Sequence, residues 1–385
     1  MLRTALLLII TVFGILALPL QAQERLPVLE LLASDADARF GLFLTAIDAA
    51  GLADEIAALD NATLLAPTDQ AMIEAMNFLG FSQQSFLADS AALAEILRLH
   101  ILPERLFFRN LSAGASVDTL GGETVDFALH GGILWAHNAR VSDVDNLAAF
   151  GVVVHVLDGL ILPSGMQERA STNRAQLRVA HLLLDDRPID LYLNGNPGRL
   201  QGLEAGQLSG WMDIAAGEQH LAIAFAESGA LAADLNVVIA PESWVTLAVL
   251  SEDGGERAQL IPLVEDYAPL PLGQARLSFF NGIEGSTGLD LLADGQVFAG
   301  GVAFPGVIGE NDGFVILPLP VATYDFVVAA TANPEIVVLN APDIRLRDGY
   351  NVFMAAVGTP VSSRILIFET NVNVERAFAE ERHAS

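Results

Sequence analysis

TLLAPTDQAM, from Thr63 to Met72, reads as a buried strand running straight into a helix. Thr63 to Ala66 are apolar or β-branched and carry no charge, as a strand covered on both faces requires. Pro67-Thr68-Asp69 then ends the strand and offers two polar side chains to the orphan amides of a first helical turn, which continues through Ala71 to Met76. Upstream, Phe40, Phe43, Leu44 and Ile47 form the apolar face of a helix ended by Gly51, and Leu52, Ile56 and Leu59 that of a second short one. Downstream, ILRLHILPERL (Ile96 to Leu106) closes a helix whose face is Leu93, Ile96, Leu97 and His100 and whose expected cap is Ser90. FGVVVHVLDGLILP (Phe150 to Pro163) holds a second strand without polar alternation. Val152, Val154 and Val156 take one face, and Val153, His155 and Leu157 the other. The strand is therefore central, and His155 is expected to be buried. Short strands and glycine turns fill Val117 onward, so residues 23–163 read as an α+β domain.

Residues 164–174 have almost no apolar content and read as a linker. Beyond it the chain repeats. AQLRVAHLLLDDRPIDLYLNG (Ala175 to Gly195) aligns without a gap on ARLSFFNGIEGSTGLDLLADG (Ala275 to Gly295), one hundred residues later. Each copy ends in a hairpin turn, Asn194-Gly195 or Asp294-Gly295, whose residues tolerate the positive φ of a type I′ turn. Trp244-Val245-Thr246-Leu247 is set against Tyr350-Asn351-Val352-Phe353. The pattern predicts two all-β, immunoglobulin-like sandwiches at 175–268 and 275–370, joined by a proline-rich linker at 269–274 and followed by a tail at 371–385.

The order and spacing of the three quoted segments resemble the fasciclin domain, an extracellular α+β module of adhesion and matrix proteins. On that resemblance Thr68, Asp69, His100, His155 and Asp158 occupy family motif positions with a structural role. Both histidines sit in apolar patterns and read as neutral core imidazoles rather than as metal contacts. The two β copies resemble the bacterial family known as domain of unknown function 4397. The first matches over its full length, and the second departs at Phe280-Asn281-Gly282. The resemblance implies a secreted, non-enzymatic binding or adhesion protein that recognises protein or polysaccharide in a matrix or a prokaryotic envelope.

Composition agrees. Arg3, the apolar run Ala5 to Leu18 and a cut after Ala22 predict a signal peptide at 1–22. Acidic residues number 47 against 19 basic, for a net charge of −28, which repels nucleic acid and anionic lipid. After cleavage no integral membrane contact is expected. The absence of cysteine excludes disulfides and thiolate metal sites. Asp143, Asp145, Asp185, Asp186 and Asp190 have the hard oxygens that calcium takes but not the spacing of a twelve-residue calcium loop. They read as solvated loop carboxylates, and no cofactor is expected. No GxSxG, HExxH, GxGxxG or P-loop occurs. The alternatives are a secreted hydrolase built on an acidic site and a calcium-stabilised envelope scaffold.

Overall fold

The computed structural model describes residues 26–148, 151–252, 257–286, 288–305, 313–331 and 333–384; the expected signal peptide at 1–22 and Phe150 lie outside them. The first part runs α1 (Val28–Ala33), α2 (Gly41–Ala49), α3 (Ala53–Ala57), β1 (Thr63–Pro67), α4 (Asp69–Leu79), α5 (Gln83–Ala88) and α6 (Ser90–Arg98). It continues through β2 (Ile101–Leu102), α7 (Phe108–Leu111), β3 (Ala115–Asp118), β4 (Thr124–His130), β5 (Ile133–Ala136), β6 (Ala139–Leu147) and β7 (Val153–Leu157). The sheet has the order β2-β1-β7-β6-β5-β4-β3, with β1 and β7 parallel and Leu65 beside His155. Just past β3, the last strand in that order, the Leu120 N–H donates to Ile101 O of β2 at 2.9 Å, so the sheet curls until it is nearly closed.

β7 separates two apolar clusters, as its sequence demands. Val152, Val154 and Val156 pack with Phe43, Ile47, Met72 and Leu97 of the helices. Leu157 packs with Leu65, Val125 and Phe127 on the other side. The caps differ in part from expectation. Thr68 Oγ1 accepts from the Ala71 N–H at 3.2 Å and caps α4. Asp69, expected to serve the same turn, instead accepts from the Leu42 N–H at 2.7 Å and caps α2, 27 residues away. α6 is capped by Asp89, which accepts from the Ala92 N–H, and Ser90 is only its first residue. The acidic side chain one position earlier has the reach to the third amide.

Residues expected to form a linker hold α8 (Ser164–Thr172). The first β copy then comprises β8 (Arg174–Leu182), β9 (Ile189–Leu193), β10 (Asn196–Pro197), β11 (Met212–Ala215), β12 (Gly217–Phe225), β13 (Leu231–Ile239), β14 (Trp244–Glu252) and β15 (Arg257–Glu265). The second comprises β16 (Gln274–Ile283), β17 (Leu289–Ala293), β18 (Gln296–Val302), β19 (Phe314–Pro320), β20 (Thr323–Ala330), β21 (Asn333–Arg345), β22 (Tyr350–Thr359) and β23 (Ser362–Asn371). The expected tail is α9 (Val372–Ala384), whose Val372 is buried.

Each copy has two four-stranded sheets of the same topology: β10-β9-β12-β13 with β11-β8-β14-β15, and β18-β17-β20-β21 with β19-β16-β22-β23. The internal repeat is therefore structural. Asn194 and Gly195 have φ of +53° and +81°, and Asp294 and Gly295 +51° and +75°, the signs a type I′ turn needs. One part of the alignment shifts. Gln176 pairs with Trp244 and Arg276 with Asn351, so Trp244 corresponds to Asn351 and not to Tyr350. A slip of one residue exchanges the faces of a strand; only this register turns both Val245 and Val352 into their cores.

The two copies meet face to face. Ala180, Leu182, Ala248 and Leu250 of the first pack on Phe280, Phe353, Ala355 and Val357 of the second. This second apolar contact explains why β8, β14, β16 and β22 lack alternation. A Cβ on Gly282 would lie 2.8 Å from the Leu250 side chain, so the close approach selects glycine there.

Candidate functional site

Burial decides the role of both motif histidines. His100 follows α6 rather than lying on it, and its Nδ1–H donates back to Ile96 O at 2.9 Å while Nε2 accepts from the Ile161 N–H at 3.1 Å. Full burial pushes its pKa down to about 4. His155 Nδ1 accepts from the Asp145 N–H at 3.3 Å, which leaves Nε2–H to donate to Leu106 O at 3.0 Å. Burial lowers its pKa as well, against the opposing pull of the Leu106 carbonyl and of Asp145 and Asp143. Each ring is a neutral cross-brace between loops. Asp158 is held by Arg140 through a charge-assisted contact and a backbone bond.

The calcium candidates are not brought together. Asp145 accepts from the Phe108 N–H at 2.7 Å. Asp185 pairs with Arg187, which holds its carboxyl below the usual range, and Asp186 is exposed. Asp190 accepts from the Gly202 N–H at 2.7 Å, and its repeat equivalent Asp290 accepts from the Gly301 N–H at 2.8 Å. Both carboxylates are buried; Asp190 brackets the loop after its hairpin, and Asp290 the end of β18. Among the described residues no group of three or more His, Asp or Glu is placed to hold a metal ion.

A cavity of about 460 Å³ opens on the outer sheet of the first copy, lined by Asn194, Glu218, Gln219, His220, Asn236, Val237 and Val238. Alternation builds it. Leu221 and Ile223 of β12 enter the core, so Glu218, His220 and Ala222 face outward. On the edge strand β13 the paired residues Val238, Asn236 and Asp234 share that face, as does Tyr192 of β9. His220 Nε2 lies 3.0 Å from Asp234 Oδ2. The His220 N–H donates to Asn194 Oδ1 at 2.9 Å, and Asn194 Nδ2 donates to Gln219 Oε1 at 2.9 Å and to Gly80 O at 3.1 Å.

That last bond crosses to the first domain, whose α4 end seats against β10 and β11. Arg174 donates to Phe78 O, Asn196 Nδ2 to Phe81 O at 2.7 Å, and Asn77 Nδ2 to Pro197 O at 2.9 Å. Gly80 has φ +76°, and a Cβ there would lie 2.9 Å from that of Ala215. The floor of the cavity is thus anchored by the junction. The sequence reading missed this site. Its only trace was alternation in GEQHLAIAF and LAADLNVVI, which marks an outward face without saying what the face does.

The fasciclin domain profile matches residues 38–163, and that of a domain of unknown function (DUF4397) matches residues 175–285. The second match ends ten residues after the start of the second copy, which it does not otherwise cover. Transforming growth factor-beta-induced protein ig-h3 of Oryctolagus cuniculus is 32% identical over 129 residues, 32% of this chain and 18% of that protein. Protein sll1483 of Synechocystis sp. is 30% identical over 125 residues, 32% of this chain and 67% of that protein. Two solved structures cover 52% of the chain: CBMbc (family CBM26) from Eubacterium rectale Amy13K in complex with maltoheptaose (99% of that chain, 11% identical, TM-score 0.19) and a streptococcal virulence factor described as binding alpha-glucan (98%, 15% identical, TM-score 0.17). Likeness at those scores carries no weight for fold or function. No helix among the described residues is long and apolar enough to cross a membrane. Through residues 38–163, the chain belongs to the fasciclin domain family, and it carries a DUF4397 domain at residues 175–285.

Proposed function

We propose that the chain is an exported binding protein of a cell surface, matrix or prokaryotic envelope, recognising polysaccharide through the His220 face. The domain limits 23–163, 175–268 and 275–370, the signal peptide at 1–22 and the immunoglobulin-like sandwich form of both β copies belong to the same reading. The observation that carries it is the lining of the cavity, which offers three amides, one carboxylate and one imidazole on the outer sheet. Amides donate and accept, carboxylates accept, and a hydroxyl-rich ligand supplies both partners. Asn194 is fixed by three hydrogen bonds and Asp234 braces His220, so the face is largely formed before a ligand arrives.

A glycan array and affinity electrophoresis with the exported chain test this reading. His220→Ala and Asn236→Ala should each weaken binding by about tenfold without lowering the melting temperature. Retention of full binding by both variants, or no saccharide bound by wild type, would overturn it. Release of reducing sugar from a bound polymer would favour the hydrolase alternative.

A further inference from the structure

All nineteen basic residues of the chain are arginine, so every fixed cation on its side chains is a guanidinium. Arg39, Arg98, Arg140, Arg174, Arg178, Arg187, Arg199, Arg276, Arg347 and Arg376 hold carboxylates. Among the described residues Arg105 and Arg109, like the exposed Arg169, Arg345 and Arg364, form no ion pair, and these two alone share one aromatic ring.

Arg105 lies in the loop between β2 and α7 and Arg109 in α7 itself, and both guanidinium carbons lie over the ring of Phe107, at 4.9 and 5.1 Å from its centroid. Stacking on an aromatic face orients a guanidinium and leaves its N–H edge free to donate. The loop itself is held. The Phe107 N–H donates to Asn110 Oδ1 at 3.0 Å and the Phe108 N–H to Asp145 Oδ1 at 2.7 Å. Arg105 Nε is buried and has no hydrogen-bond partner among the described residues. Gly151 leaves room beside it; a Cβ there would reach to 3.7 Å from the Arg105 guanidinium.

We propose that Arg105 and Arg109, positioned by Phe107, bind a carboxylate group of a uronic-acid-bearing polysaccharide. A planar carboxylate matches the guanidinium fork. Glu104, next to Arg105 in the chain, is exposed, and Asp145 Oδ1 already takes the Phe108 N–H. Remote carboxylates are screened beyond about 8 Å at physiological ionic strength, so the net charge weakens this site without abolishing it. The site lies in the fasciclin domain, apart from the His220 face. It shares with the proposed function only the polysaccharide class of ligand.

The test is affinity electrophoresis of the full chain, at low and at physiological ionic strength, in polygalacturonate and in its fully methyl-esterified, uncharged counterpart. Wild type should bind the acid and not the ester through this site, with retention falling as salt rises. The double variant Arg105→Gln/Arg109→Gln should lose about tenfold in affinity for the acid, and His220→Ala should keep it. Arg109→Gln alone removes an exposed side chain and serves if the double variant is unstable. Equal retention of acid and ester, no loss in either arginine variant, or no wild-type binding of polygalacturonate at low salt would overturn the proposal. Loss of neutral-glycan binding in His220→Ala with retained uronate binding would bear only on the His220 face.

Discussion

Asn351 Nδ2 donates to Glu265 Oε2 at 2.6 Å and joins the second β copy to a completely buried carboxylate of the first. The same carboxylate takes the Arg178 guanidinium and the Thr246 hydroxyl. Arg178 donates onward to Thr370 Oγ1 at 3.0 Å, again across the boundary, and lies 4.4 Å over the Trp211 ring. Charge and hydrogen bonding are matched inside the apolar contact between copies, so the two copies form one structural unit.

Glu265→Gln should therefore cost about 3–5 kcal/mol, because it strands a buried guanidinium. Denaturant unfolding followed by tryptophan fluorescence reads this directly, since Trp211 and Trp244 stack around Tyr267 beside Arg178. Arg178→Met/Glu265→Leu should recover most of the loss. Separate unfolding of the two copies in wild type would contradict the single unit.

Stability should rise with pH between about 4 and 6.5. The His100 pKa is depressed to about 4 from 6.5, so across that window the unfolded chain binds a proton that the fold does not. The contribution is fully present above 6.5, is lost as pH falls toward 4, and amounts to roughly 3 kcal/mol for this residue. His155 and His181 shift in the same direction for the same reason, burial. Melting temperatures across that range check it; for His100→Asn the dependence should flatten.

His155→Ala removes a cross-brace and should cost about 2–4 kcal/mol in the fasciclin domain. A flexible linker would confine that damage. Here α8 and the contacts of Arg174, Asn194 and Asn196 with Phe78, Gly80 and Phe81 should pass part of it to the first β copy. Calorimetry should show the first transition lowered most and the β transition lowered slightly. An unmoved β transition would mean that the junction is energetically silent.

Millimolar Ca²⁺ and Mg²⁺ should produce similar, small shifts in melting. Asp145, Asp185 and Asp190 already spend oxygens on the Phe108 N–H, Arg187 and the Gly202 N–H. A rise of many degrees specific to Ca²⁺, and abolished by Asp143→Asn or Asp185→Asn, would instead establish a coordination site.

Local rules carried much of this architecture. Thr68 at its cap, Gly51 past its helix, and the Asn194-Gly195 and Asp294-Gly295 turns each obey a preference set within a few residues, so each was legible in the sequence. The strand with His155 was legible for a related reason, since residues apolar on both faces admit only a central place. α8 was missed because a helix with little apolar content gives no periodic signal.

Partner choice was decided elsewhere. Asp69 looks like a cap for its own helix and serves another, because the α2 amides arrive closer in space than in sequence. Nothing near Arg178 in the chain names its partners, and folding places it against Glu265, 87 residues away, and Thr370, 192 residues away. The His220 face and the Arg105–Phe107–Arg109 cluster likewise depend on which side chains the sheets and loops leave outward. Periodicity records which face of an element is covered, because burial acts residue by residue along the chain. What covers that face is set by long-range packing, and only the tertiary structure contains it.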